Sequence, residues 1–465
     1  RGNKLTARYR DPQDDFNNTT NHTANSFYGM TVINGGTLAG DTTWNPAGSP
    51  YLLTGDVTVP LGSTLTIDAG TEVRFTPISD DLTSGEDNNR IELRVEGRLE
   101  VNGTATDSVF FKSNGQVPAS GDWYGIVSYG NEGEVHVGYS SFNHYTNGVH
   151  TTGGRSVNSQ NNGDSIYMHH NSFYAGGYAF RSTAGLYLNR PIVFLYNELH
   201  QCGIYDKGYA SYRKYEHNTV KAAASYESFE FWNFISGRNN DSTYLSVSNN
   251  TFEKGRIYIN TLYLYDNATA SIHINNNTLE RGSNGITFHN IKNGTSERNR
   301  INIDILNNII HGIPNGNGNY SGGNYIYVEQ KGAKVRFENN QIKGIGRGLW
   351  IESYDNLSEA TINNNSIDSA SYGGFYLKKV SGTIESNTLS YCSDDQNAIE
   401  INSDFNSPSI NPLQYNTIPG SGYHQLGGLS TNSAAVKIDG YTNALINYNN
   451  IYNNYSYDII NNVAS

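Results

Sequence analysis

Cysteine is nearly absent from this chain: 465 residues hold two, too few for the disulfide framework of a small secreted domain. Helical patterning is missing too, since no long stretch sets apolar residues three and four apart, which excludes a helical bundle. No apolar run reaches the roughly 18 residues that cross a bilayer as a helix, and the C-terminal INNVAS has no hydrophobic tail. Charged residues make up only 16%, with a net charge of −12, a balance that argues against a nucleic-acid partner, whose phosphates require basic patches. The histidines are scattered, without zinc-site spacing. The sequence opens on Arg1 rather than Met and shows no charged-then-apolar leader, so a processed, exported form is expected.

What is present is short alternation. Tyr, Ile, Val, Phe and Thr recur at every second position between turns rich in Gly and Asn, the pattern of an all-β chain. Residues 271–290, SIHINNNTLERGSNGITFHN, show the unit: with Asn277 as position zero, Ile272 and Ile274 stand at −5 and −3 and Leu279 at +2. The frame recurs around Asn171, Asn197, Asn250, Asn308, Asn340, Asn365, Asn387, Asn416 and Asn449, loosely at Asn218, and with Ser140 in the asparagine's place. Copies lie roughly 21 to 34 residues apart, a solenoid-like period whose variation places loops of different length at one corner. One such repeat cannot bury its apolar face alone, so copies must stack. At about 4.8 Å per rung, the asparagine amides are expected to form a hydrogen-bonded ladder inside the turn, as scaffold.

This frame resembles the right-handed parallel β-helix of the pectin-lyase-like superfamily, over roughly residues 50–460. Upstream, TGDVTVPLGSTLTIDAGTEVRF, ELRVEGRLEVNGTATDSVFFKS and DWYGIVSYG are similar to the opening coils of secreted bacterial and archaeal surface β-helix proteins. The expected fold is therefore an all-β, single-stranded right-handed parallel β-helix with an N-terminal extended arm. Its parts are residues 1–40 as arm or cap and assembly strand, 41–130 as opening coils and 131–465 as asparagine repeats. Cys202 and Cys392 each follow a frame asparagine by five residues, seven copies apart. That separation, on the order of 30 Å, is too far for a disulfide, and both are expected to be buried thiols.

Function must come from outward residues. If the aliphatic residues of each copy's second alternating strand face inward, one outward column reads Tyr258, Thr287, Tyr327, Trp350, Tyr376, Glu400 and Lys437. The next reads Asn260, His289, Glu329, Glu352, Lys378, Asn402 and Asp439. Tyr258, Tyr327, Trp350, Tyr376 and Glu400 form either a glycan-binding strip or a subunit interface, and stacked aromatics also stabilise strands without any ligand. A lyase needs a base and a cation, for which Lys331, Arg336, Arg347 and Lys378 are candidates; a glycosidase needs two carboxylates, for which Glu329 and Glu352 are. SDDQNAIEI resembles the paired-Asp segment of polygalacturonases, but the only His-Gly, His311-Gly312, precedes it and no Arg-x-Lys follows. The loop SDDLTSGEDNNR offers Asp80, Asp81, Glu86 and Asp87 as oxygen ligands for Ca²⁺, without EF-hand spacing; no cofactor is otherwise required.

Sequons at Asn21, Asn102, Asn240, Asn267, Asn293, Asn319 and Asn356 are glycosylation candidates. The first thirty residues, with Arg1, Lys4, Arg8 and Arg10 ahead of a polar tract, lie outside the repeat and suit an arm laid on another subunit. The sequence therefore leans to an exported, self-assembling surface or filament subunit whose main partner is itself. The alternative is a polysaccharide lyase, glycosidase or glycan-binding adhesin acting on extracellular polysaccharide.

Overall fold

A computed structural model of the chain describes residues 29–129, 133–152, 166–183, 191–209, 212–221, 229–236, 242–264, 269–282, 285–293, 301–312, 323–330, 332–354, 358–392, 397–403, 409–420, 434–440, 443–454 and 457–462. The chain divides into two compact units, the first Arg1–Gly153 with Asp164–Arg181 and the second Gly154–Gly163 with Ser182–Ser465. Each is a right-handed parallel β-helix: three strands per coil, every pairing parallel, each strand bonded to its counterpart one coil away. Of residues 1–40, expected as arm or cap, residues 1–28 lie outside the described residues, whereas Thr31–Ile33 and Gly36–Thr37 already pair with Tyr51–Leu53 and Val57–Val59 as rungs of the β-helix.

One coil of the second unit explains the rest. Thr269–Asn275 lies in a first sheet, Thr278–Gly282 in a second and Ile286–Asn293 in a third. Alternation sends Ala270, Ile272, Ile274, Leu279, Ile286, Phe288 and Ile291 inward, and all seven are fully buried. Between the first two strands the chain must turn sharply. Asn276 makes the turn at φ 57°, a left-handed conformation that Asn tolerates better than other non-glycine residues. The residue before position zero does the same in coil after coil: Asn249, Asn307, Asn339 and Asn364 have φ between 56° and 58°.

Position zero is buried. Asn277 donates from Nδ2 to the Val247 carbonyl at 2.8 Å and to Asn308 Oδ1 at 3.0 Å. Its Oδ1 accepts from the backbone N–H and the Nδ2 of Asn250, both at 3.0 Å. The same exchange links Asn197, Asn218, Asn250, Asn277, Asn308, Asn340, Asn365, Asn387, Asn416 and Asn449 in order. A buried primary amide has two donors and two acceptor lone pairs; here each interior one fills all four. Leaving such a group unpaired costs about 1–3 kcal/mol, so substitution is penalised on neighbouring rungs as well as at its own.

The first unit has little of this. Asn171 Oδ1 accepts from the Ser140 backbone N–H at 2.9 Å and its Nδ2 donates to the Val137 carbonyl at 3.0 Å. Aromatic rings fill its core instead: Phe111, Phe142 and Phe173 stack at successive centroid separations of 4.8 Å, and Phe75 lies flat on Trp123 at 3.9 Å. In the second unit both cysteines are buried thiols outside any disulfide, and burial pushes the Cys392 thiol up to about 12. They act as small apolar residues.

Candidate functional site

Strand pairing in the second unit's third sheet fixes the outward rows. Tyr258 pairs with Thr287, Thr287 with Tyr325, Tyr325 with Trp350, Trp350 with Tyr376, Tyr376 with Glu400 and Glu400 with Lys437. Tyr325 thus takes the place expected for Tyr327. Tyr327 stands in the adjacent row with Glu352, Lys378, Asn402 and Asp439. The correction has a simple cause: Gly323–Gln330 pairs with irregular register on both sides, and a shift of two residues changes the row while preserving which side chains face out. Glu329 leaves the Glu352 row for the same reason, because Val328 pairs with Ser353.

The row forms a cleft of about 370 Å³ lined by Arg256, Tyr258, Tyr325, Arg347, Trp350 and Tyr372 together with Thr287, Gly323 and Asn324. Trp350 meets Tyr325 and Tyr376 edge to face, each at 5.2 Å, a favoured aromatic geometry. Arg347 lies against both walls, its Cζ 4.9 Å from the Trp350 centroid and 5.0 Å from the Tyr376 centroid. Among the described residues no carboxylate stands within ion-pair distance of Arg347. Burial draws its pKa below the ordinary value, partly offset by Glu400, yet an arginine remains charged throughout the physiological range. Arg256 covers Tyr258 at 4.6 Å but is already paired with Glu230 at 3.0 Å.

The remaining charged candidates are engaged. Lys378 Nζ donates to Glu352 Oε1 at 3.0 Å, Lys292 pairs with Glu329 at 2.7 Å, and Asn397 Nδ2 donates to Glu400 at 2.8 Å. Tyr325 is raised by burial, then by Glu352 and Tyr327, to about 12, and Tyr376 is raised by burial and then Glu400. Both phenols stay protonated and are poor bases near neutrality. Lys331, Asp394 and Asp395 lie outside the described residues.

The acidic loop of the first unit closes on itself. Asp80 accepts from the backbone N–H groups of Asp56, Leu82 and Ser84 at 3.1, 3.0 and 2.7 Å. Asp87 accepts from Arg90 at 2.8 Å, while the backbone N–H groups of Glu86 and Asp87 donate to Glu92 Oε1. Asp80, Asp81, Glu86 and Asp87 therefore do not converge, and among the described residues no three His, Cys, Asp or Glu side chains gather as a metal site. What the loop covers is a buried carboxylate pair. Asp56 Oδ1 accepts from the Glu92 backbone N–H at 2.7 Å; burial, chiefly, raises Asp56 to about 6 and, with Asp56 adding to it, raises Glu92 to about 8. Nearby, Tyr124 Oη and His150 Nδ1 are hydrogen-bonded at 3.0 Å, with burial pushing His150 down to about 4 and Tyr124 up to about 12. With Tyr124 8% and His150 2% exposed, this group is core. No motif announced it, because Asp56 and Glu92 meet only through rung-to-rung pairing.

Among proteins of known family, residues 36–179 match the model described as a pectate-lyase-like beta helix domain. None of the curated proteins is similar enough to match. A solved structure, the A-module of the Azotobacter vinelandii mannuronan C-5 epimerase AlgE6, is similar at 13% identity over 87% of this chain and 91% of that one, with a TM-score of 0.21. Likeness at that level bears on no residue here.

The matched segment holds Asp56 and Glu92, and the aromatic cleft lies beyond it in sequence. Of the glycosylation candidates, Asn102 is exposed at the end of Arg98–Asn102 and Asn293 ends Ile286–Asn293. Asn21, Asn240, Asn267, Asn319 and Asn356 lie outside the described residues. No helix among the described residues is long and apolar enough to cross a membrane.

Proposed function

We propose that this is an extracellular polysaccharide-binding protein whose second unit takes an acidic glycan along the Tyr258–Tyr376 row. One observation carries the reading: Arg347 is a cation set against two aromatic walls, in a cleft, with no carboxylate of its own among the described residues. Flat rings of Trp350, Tyr325 and Tyr258 cover the apolar faces of sugar rings, while a guanidinium fork pairs with a carboxylate such as that of a uronic acid. The cleft volume of about 370 Å³ falls within the ~300–1,000 Å³ usual for ligand sites. The pectate-lyase-like match agrees with a glycan ligand.

Binding is favoured over cleavage because the described candidate acids and bases near the cleft are paired or neutral. Glu352 is tied to Lys378, Glu329 to Lys292, and the phenols are held protonated. A self-assembling subunit draws its support from the arm, of which residues 1–28 lie outside the described residues, and no geometry favours it over a glycan surface. Affinity electrophoresis tests the proposal: gels containing a uronic-acid polymer should retard the protein and gels containing a neutral glucan should not. Equal mobility in both would end it.

A further inference from the structure

We infer that His169 and His170, on the outer face of the first unit, form a two-imidazole site for a first-row divalent cation, Zn²⁺ or Cu²⁺. The two Nδ1 atoms stand 3.1 Å apart. Two imidazole lone pairs cannot face each other at that distance, so what lies between them is a proton or a cation. With metal–nitrogen bonds of about 2.0–2.1 Å, a 3.1 Å nitrogen–nitrogen span corresponds to a bond angle of about 100°, which zinc and copper both accept.

The surrounding chain holds both rings for this. His169 ends the strand Ile166–His169 opposite Gly138, and its Cε1 and Nε2 lie 2.7 Å from where a Cβ on residue 138 would stand. Only glycine there lets the ring lie over the neighbouring rung with Nε2 turned to the protein and Nδ1 turned to His170. His170 adopts φ 54° and is packed flat against Tyr139 at a centroid separation of 4.5 Å, which fixes the second ring. Since no third side chain of ligand type converges among the described residues, water fills the remaining positions.

Calorimetric titration of the untagged full chain with Zn²⁺ tests the site, with His217→Asn as control, because His217 occupies the equivalent turn stacked on Tyr196 at 4.6 Å. One saturable ion per chain is expected in the parent and in H217N, weakened at least tenfold in H169N and in H170N. Asparagine tolerates the left-handed turn, so H170N should retain the fold. Cu²⁺ electron paramagnetic resonance of the unsubstituted protein should show two nitrogen donors. No saturable zinc binding, isotherms unchanged in H169N and H170N, or fewer than two nitrogen donors would overturn the proposal.

Discussion

The first unit stacks rings where the second stacks amides. Both exploit one geometric fact, that identical positions on successive rungs come within contact distance, but they spend it differently. The Phe111–Phe142–Phe173 column gains from apolar burial and ring contact, and each ring is rewarded separately. The asparagine column from Asn197 to Asn449 gains by completing partners in both directions, so each amide is worth most in the middle and least at the end. Both units bury titratable groups, Asp56, Glu92 and His150 in the first and the Asp206–Arg213 ion pair at 2.9 Å in the second, where Arg347 also lines a cleft.

The sharpest way to break this comparison is Phe142→Ala, which removes the middle ring of the stack and leaves a cavity. A loss of about 3–5 kcal/mol is expected in urea unfolding; a loss below about 1 kcal/mol would mean that the rings do not act as a column. Asn308→Ala should cost slightly less, about 2–4 kcal/mol, by orphaning the Asn277 backbone N–H, one Asn277 Nδ2 hydrogen, one lone pair of Asn340 Oδ1 and the Ile274 carbonyl together. At the last amide in the column, Asn449→Ala should cost only about 1 kcal/mol. Equal losses at Asn308 and Asn449 would show that each amide acts alone.

The buried acids Asp56 and Glu92 predict a pH signature for the first unit. Glu92 is raised from 4.5 to about 8 and Asp56 from 3.8 to about 6, so the folded state keeps protons that the unfolded chain releases. Their contribution is complete below the unfolded values and is lost as pH climbs from about 4 to 8, by a few kcal/mol at most. His150, lowered from 6.5 to about 4, acts in the other direction: its neutral form favours the fold above 6.5, and stability is lost as pH falls from there toward 4. Glu92→Gln should flatten the alkaline limb of a pH–stability profile and leave the acid limb in place. An unchanged alkaline limb would remove Glu92 from the account.

Much of the scaffold was legible because its signals repeat. Inward aliphatics at −5, −3 and +2 and the buried amide at zero recur with little variation, since every rung solves the same packing problem. The residue before zero was also legible in part: asparagine there suits a left-handed turn, but Tyr196, His217, Tyr415 and Tyr448 adopt it too, and their pairing in stacks at 4.6 and 5.4 Å is visible only in three dimensions. Facing was readable in the aromatic strip and register was not, because the two-residue shift at Gly323–Gln330 leaves alternation intact. Acidity in the loop around Asp80 and Glu86 suggested a cation, yet those carboxylates and N–H groups satisfy one another. Arg347 stood out only once no carboxylate among the described residues was seen within ion-pair distance of it.

The most direct test is the affinity of the parent and of Arg347→Ala for one uronic-acid oligosaccharide, measured by calorimetry at two salt concentrations. The account predicts salt-sensitive binding in the parent and a loss of tenfold or more in R347A, matching a charge-assisted pair worth about 1.5–3 kcal/mol. Equal affinity in the two proteins, or binding that ignores salt, would contradict it.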